Sequence, residues 1–319
     1  MRTNDAAEVL ARFENQYLPF PPFVAAKEAI EAELQLFRRT GLARHMLVLG
    51  EAGTGKTSLC GWLGMQYPKR RLLEGDRIEV LRIQIPPAAT LIGICDAFLR
   101  ALGDRDPSAG TTTAKWRRVV TLCRHCGVEL ILVDEAQHLQ DRGSAKTHYH
   151  VADFFKNLID EIAVPTIMLG LPRLADLLQT NDQLRRRFSR RIWLSLGQSE
   201  TDSIETECLQ LFLSLASLID VPVRSDPFGP GEMGRRIYFA CDGRVAYVKK
   251  ILFSALRMAL EQGHDVIDAE LLQRAFAAEV WPEAIGSLNP FHTDFAQRRL
   301  DRGGEPFEMT AQAITKRAR

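Results

Sequence analysis

Gly50-Glu51-Ala52-Gly53-Thr54-Gly55-Lys56-Thr57 decides the reading of this 319-residue chain, because it matches G-x-x-x-x-G-K-[ST] at every fixed position. Ahead of it runs His45-Met46-Leu47-Val48-Leu49, a short apolar run that reads as a buried strand, and Ser58 to Gln66 behind it reads as a helix. Strand, loop and helix in that order are the setting a phosphate-binding loop requires. Gly50, Gly53 and Gly55 lack a Cβ, so backbone N–H groups can turn onto phosphate oxygens while the helix N-terminus adds partial positive charge. The expected cradle for ATP is therefore Gly50, Glu51, Ala52, Gly53, Thr54, Gly55, Lys56, Thr57 and Ser58, with Lys56 on the β- and γ-phosphates and Thr57 on Mg²⁺.

A second stretch, Glu129-Leu130-Ile131-Leu132-Val133-Asp134-Glu135, is an apolar run ending in two carboxylates. Such runs occur in many α/β proteins, but downstream of a complete phosphate loop this one reads as the acidic strand of an NTPase. Asp134 is expected to hold Mg²⁺ through water, and Glu135, at the strand's C-terminal end, to act as the general base on the attacking water.

Composition places few limits beyond these motifs. An apolar fraction of 46% and a charged fraction of 25% are ordinary for a globular protein. With 41 basic against 40 acidic residues the net charge is +1, so any nucleic-acid contact must come from a local patch. Of the six cysteines only Cys123 and Cys126 are close, and their C-x-x-C lacks a second ligand pair, which leaves reduced helix cysteines as the expectation rather than zinc. No apolar span reaches membrane length, and Asp5 and Glu8 interrupt any leader pattern, so no membrane partner and a cytoplasmic protein are expected.

Taken in order, residues 1–44 read as an N-terminal extension. Its Phe13, Tyr17, Leu18, Phe20 and Phe23 surround Pro19, Pro21 and Pro22, which predicts an extended segment, followed by a helix from Ala25 to Arg39. From 45 to 197 strands near 45–49, 79–85, 129–133, 164–169 and 190–195 alternate with helices near 56–66, 90–102, 113–126, 151–162 and 171–179. That rhythm predicts a parallel sheet covered by helices on both faces. Gln183-Leu184-Arg185-Arg186-Arg187-Phe188 precedes the last strand, and its arginines are either a solvated face or an arginine finger for a neighbour's γ-phosphate. From 198 to 281 only helical patterns remain, near 203–219, 231–241, 244–262 and 268–280, an all-helical second domain. Arg244 at the start of its third helix is a candidate for the nucleotide phosphates or an ordinary surface residue. Periodicity fades from Pro282, so 282–319 is expected to be a flexible or partner-ordered tail.

The GEAGTGKT loop, the ILVDEAQHL strand, the QLRRRF turn and the helical second domain together resemble the AAA+ ATPases, and the run Asp134 to Gln137 resembles in particular the transposition ATPases TniB and TnsC, more distantly phage MuB. The resemblance extends over about 20–295, with Asn289-Pro290-Phe291 also similar to the TniB pattern. It implies an α/β AAA+ P-loop NTPase with a helical lid, a regulator that assembles as a ring or filament on double-stranded target DNA in its ATP form, recruits a DDE transposase and disassembles on hydrolysis. It also implies a target-selection partner, which in some relatives is a CRISPR effector complex or its adaptor. Arg187 is the best match to the arginine finger, ahead of Arg185 and Arg186. In one place the chain departs from the pattern: the strand that usually ends in a polar sensor residue here runs Pro165-Thr166-Ile167-Met168-Leu169-Gly170, which leaves that sensor unassigned and implies slow or partner-dependent hydrolysis.

For DNA, Thr111 to Arg118 offers hydroxyls and cations at a helix start, and Arg142 to Thr147 a basic loop after the acidic strand. Thr112, Lys115, Arg142 and Lys146 are the expected phosphate contacts, against the alternative of a helix cap and solvated charges. The competing function is an AAA+ ATPase acting as a non-nucleic-acid scaffold or in secretion. A helicase motor would need a second RecA-like domain, which the helical half does not offer.

Overall fold

Three strands, Met46–Leu49 (β1), Leu130–Asp134 (β5) and Thr166–Gly170 (β6), are buried at every residue. Such strands need cover on both faces, so their sequence already demands a layered α/β arrangement. The computed structural model describes residues 3–17, 20–73, 75–87, 89–140, 145–175, 182–197 and 202–308. These fall into two units, 21–194 and the combination of 1–20 with 195–319.

In the first unit, Val80–Gln84 (β4) and Arg190–Trp193 (β7) complete a sheet of order β4-β5-β6-β1-β7 in which every pairing is parallel. The sheet is flanked by Pro21–Thr40 (α2), Lys56–Gln66 (α3), Leu91–Leu102 (α4), Thr112–His125 (α5), Ala145–Ile162 (α6) and the short Asp182–Arg187 (α7). Phe98, Val119, Phe155 and Ile159 from these helices, with Phe188 just after α7, join Ile83, Ile131 and Val133 in one core. The parallel sheet expected from the βαβ rhythm is therefore present, with all five strands where the apolar runs placed them. A separate hairpin, Arg70–Leu72 (β2) with Gly75–Arg77 (β3), was not anticipated, because its polar residues carry no alternating pattern.

The extended segment expected around the prolines is corrected. Thr3–Glu14 (α1) is helical, and α2 begins at Pro21 itself and includes Phe23. Proline is well placed there, since the first turn of a helix has no intrahelical use for its N–H groups.

The second unit is helical: Ile204–Ala216 (α8), Pro230–Cys241 (α9), Val245–Gln262 (α10) and Ala269–Glu279 (α11). Ser203 and Asp268 cap α8 and α11, their side chains accepting from Thr206 N at 3.3 Å and Leu271 N at 2.9 Å. α1 belongs to this unit, where Arg12 pairs with Asp220 at 2.7 Å. The expectation of a flexible tail from 282 is also corrected: Phe291, Phe295, Leu300 and Phe307 are buried. Arg236, 2% exposed, supplies the reason, since its guanidinium donates to the carbonyls of Pro290 at 2.7 Å and His292 at 2.6 Å and lies 3.8 Å from the centre of the Phe228 ring. A buried cation thus satisfies the backbone of a segment that has no secondary structure of its own. Residues 309–319 lie outside the described residues.

Candidate nucleotide site

The loop from Gly50 to Gly55 joins β1 to α3, at the C-terminal end of the parallel strands. Gly50 donates to the Gly170 carbonyl at 3.1 Å. A Cβ on Gly50 would lie 2.9 Å from the Leu194 carbonyl and collide with the Thr54 hydroxyl, so only glycine fits. Gly53 and Gly55 have φ of 81° and 92°, the left-handed region that a side chain would strain. Thr54 is buried and ties the loop to itself by donating to the Glu51 carbonyl at 2.9 Å. No side chain caps the N-terminus of α3, whose backbone donors are left for an anion.

Lys56 opens α3 and is 6% exposed. Its ammonium donates to the Gly50 and Glu51 carbonyls at 2.7 and 2.8 Å. Burial holds its pKa below the ordinary lysine value, with Glu135, then Asp134, then Glu51 pulling the other way. The carboxylates predicted for chemistry are thus within electrostatic reach of the phosphate-loop lysine. Thr57 and Ser58 are exposed at the same helix end.

Asp134 closes β5 and is 2% exposed; it accepts from Glu135 N at 2.9 Å and lies 3.8 Å from the Arg82 guanidinium on β4. Glu135 adopts a left-handed φ of 55°, which turns the chain out of the strand into a 3₁₀ helix, Ala136–Gln140. Its Oε2 accepts from Gln137 Nε2 at 2.5 Å and lies 3.5 Å from His138 Nε2. Gln137 and Arg82 were not singled out from the sequence. The signal available for Gln137 was a polar residue in the first turn after an acidic strand end; for Arg82 it was a lone charge inside an apolar strand. Among the described residues no cluster of three or more His, Cys, Asp or Glu could enclose a metal by itself. Magnesium at nucleotide sites does not need one, since one or two protein oxygens with phosphates and water suffice, and Thr57 with Asp134 is a donor set of that kind. Cys123 and Cys126 are buried free thiols, and burial pushes Cys123 up to about 12.

At the opposite end of the strands, where β1, β6 and β7 begin, Arg44, His45, Asp160, Arg186, Arg187 and Arg190 line a cavity of about 560 Å³. Two acids hold two of its arginines. Asp160 accepts from Arg187 Nε and Nη2 at 2.7 Å each, and Glu33 pairs with Arg190 at 2.6 Å. Arg185 pairs with Asp182 at 2.8 Å, whereas Arg186 is exposed and makes no ion pair among the described residues. His45 Nδ1 accepts from Thr166 N at 3.1 Å, so the ring is neutral; burial lowers its pKa to about 4, Asp160 opposing and Arg187 adding to the fall.

The remaining candidates fare differently. Arg244 is the N-cap of α10 in the helical unit, 3.8 Å from Asp242 and with its guanidinium 5.5 Å from the centre of the Phe307 ring. Lys115 is corrected as a DNA contact: it is 1% exposed, and its ammonium donates to Asp96 at 2.5 Å and to the Pro107 carbonyl at 2.9 Å. Arg118 is likewise turned inward to Asp104 and the Asp106 carbonyl, and the cap of α5 is Thr111. Thr112 is half-buried and Arg117 exposed on the same helix. Arg142 lies outside the described residues, as does the side chain of Lys146, whose backbone belongs to α6.

Solved structures with this fold include the ORC2 protein of Aeropyrum pernix in ADPNP and ADP complexes, 15% identical at a TM-score of 0.58 over 84% of this chain and 71% of that one. Cdc6p of Pyrobaculum aerophilum is 15% identical at 0.60, over 83% and 69%. The ORC1 protein of A. pernix, solved in complex with DNA, is 16% identical at 0.61, over 84% and 69%. At these identities the likeness shows the fold, an α/β AAA+ core with a helical companion. No curated protein matches the chain in sequence. The model of the bacterial TniB protein family matches residues 11–194, which take in the phosphate loop, the Asp134-Glu135 strand end and the arginine turn. With that match over more than half its length, the chain belongs to the TniB family of AAA+ ATPases.

Proposed function

We propose that this protein is an ATP-dependent transposition regulator that assembles on double-stranded target DNA in its ATP state, recruits a DDE transposase and a target-selection partner, and dissociates after hydrolysis. The observation that carries the assembly step is the placement of charge at the two ends of one sheet. His45 and Gly50 bracket β1, and the five residue-to-residue steps between them span about 16 Å at ~3.3 Å each. Arg187 sits at the β1 entry and the phosphate loop at its exit, so one protomer's Arg187 is out of reach of its own site and could serve only a neighbour's.

In this reading the Gly50–Ser58 loop binds the phosphates and Lys56 exchanges its two loop carbonyls for phosphate oxygens. Thr57, and Asp134 through water, would hold Mg²⁺, which would neutralise charge on the phosphates when bound; without it Asp134 lies 3.8 Å from the Arg82 guanidinium. Glu135 takes the proton from the water whose oxygen bonds to the γ-phosphorus, as the bond to the bridging oxygen breaks and its electron pair leaves with ADP. Arg187 of an adjacent protomer lies against the γ-phosphate, and Arg244 is the lid's candidate for the same phosphates.

Support for the DNA step comes from the family and from a fold neighbour solved in complex with DNA. With Lys115 withdrawn, the contacts proposed are Thr112 and Arg117 on α5 with Arg142 and Lys146. Titration onto random-sequence duplex at several salt concentrations, with ATP, with ADP and without nucleotide, tests the reading. Binding should require ATP, and each lost cation should lower the log K against log salt slope by about 0.9 per protomer. Equal binding in all three nucleotide states would refute an ATP-gated assembly, and electron microscopy of the ATP-bound complex would show whether a ring or a filament forms.

A further inference from the structure

Gln137 occupies a position that the phosphate loop and the acidic strand do not account for. It is 1% exposed, and both ends of its amide are used. Nε2 donates to Glu135 Oε2 at 2.5 Å, while Oε1 accepts from Leu171 N at 3.1 Å. Leu171 immediately follows β6, so one side chain spans from the carboxylate after β5 to the end of the neighbouring strand. Gly170 is the residue at that strand end, where a Cβ would stand 2.7 Å from Gln137 Oε1, 3.0 Å from Leu174 Cδ2 and 3.3 Å from the Gln137 backbone nitrogen, so the Gln137 amide lies in the space a side chain there would take. The strand that ends without a polar side chain is therefore not short of a polar group. The amide of Gln137 fills the place, supplied by the acidic strand's own continuation.

We propose that Gln137 is the positioning residue for Glu135, and that its amide takes over the role a polar side chain at the end of β6 would otherwise play. Glu135 stands on a left-handed backbone turn and is partly exposed, with a side-chain exposure of 31%, so its carboxylate has rotational freedom to lose. The donor on Oε2 removes that freedom and leaves Oε1 to accept the water's proton. The two halves of the amide do different work: the acceptor fixes the loop to β6, and the donor aims the base.

This inference rests on Glu135 being the base, and the variants separate the two claims. Gln137→Glu keeps an acceptor for Leu171 N but sets a carboxylate against Glu135; Gln137→Leu removes both contacts at similar volume; Gly170→Ala displaces the amide without changing it. In each, the affinity for a fluorescent ATP analogue should stay within about twofold of wild type, while kcat falls roughly 10- to 100-fold, a share of the factor that a general base contributes. A purely structural role predicts instead that Gln137→Glu hydrolyses ATP at the wild-type rate. A readout without turnover is the Gln137 side-chain N–H resonance in the nucleotide-free protein, assigned by its loss in Gln137→Leu. It should lie downfield and move upfield in Glu135→Ala. If Glu135→Gln hydrolyses ATP at the wild-type rate, the base assignment is wrong. If Glu135→Gln is slow but Gln137→Glu, folded by thermal melt, is as fast as wild type, the base stands and the role of Gln137 is refuted.

Discussion

Lys115→Ala separates a residue that builds the fold from one that meets DNA. Its side chain is 2% exposed and its ammonium joins α5 to Asp96 on α4 and to the Pro107 carbonyl in the loop between them. Removing one partner of a buried pair costs about 3–5 kcal/mol, because the other charge is left without compensation. Asp96 is 19% exposed and recovers part of its hydration, which places the expected loss near the lower bound. For a unit of the size of 21–194, a loss of about 3 kcal/mol lowers Tm by roughly 6–12 °C. The assay is thermal unfolding followed by circular dichroism, paired with duplex titration of the folded variant below its transition. The double replacement Lys115→Met, Asp96→Leu should recover most of the loss, since an apolar pair leaves no buried charge. A Tm within about 2 °C of wild type for Lys115→Ala, or a salt slope reduced by about 0.9 in the folded protein, would show that the ammonium serves the surface after all.

Three further outcomes are expected. Lys56→Ala should abolish tight ATP binding, measured by equilibrium titration, because no other cation of the phosphate loop faces the γ-phosphate. His45 is neutral in the fold at about 4 against 6.5 unfolded, so the unfolded state binds the extra proton first and stability falls as pH drops from about 6.5 towards 4; the full shift corresponds to about 3 kcal/mol. His45→Gln should flatten that slope in urea melts run between pH 7 and 4, and an unchanged slope would mean that other groups dominate. ATPase activity per protomer should rise with protein concentration, and Arg187→Ala should abolish that rise while leaving ATP affinity intact; concentration-independent activity in the wild type would remove the need for a neighbour.

The sheet was legible because its central strands β1, β5 and β6 are short apolar runs separated by turn signals, and the nucleotide loop because glycine spacing and backbone geometry are tied together. Lys115 was misread for a reason that the helix periodicity contains. It lies four residues before Val119, on the stripe that also carries Val120 and Cys123, so its position marks the buried face although its chemistry marks the surface. The packed segment after 282 and the hairpin at 70–77 were illegible because neither has a repeating apolar pattern. Their order comes from side chains outside the segments themselves: Arg236 for the first, and for the second Glu79 just beyond the hairpin, paired with Arg70, and the distant Glu129, paired with Arg77. Gly170 looked like a departure from pattern when read alone, and Gln137 was read only as part of the Asp134–Gln137 run. Only contact across the ends of two strands shows that the missing side chain of one is supplied by the other.

Arg187 presents two parallel donors to Asp160, the fork by which a guanidinium also grips phosphate. A neighbour's γ-phosphate must therefore compete with a carboxylate already in ideal geometry, and an encounter that brings only part of the triphosphate, as ADP would, competes poorly. Asp160 is the acid among the described residues lining this cavity and is engaged with Arg187, while Glu33 holds Arg190 from behind. Asp160→Asn keeps the shape and gives up the charge, so it should lower the protein concentration at half-maximal ATPase activity. If it left that concentration unchanged while Arg187→Ala abolished the concentration dependence, the pair would be a folding contact rather than a competitor for the neighbour's phosphate.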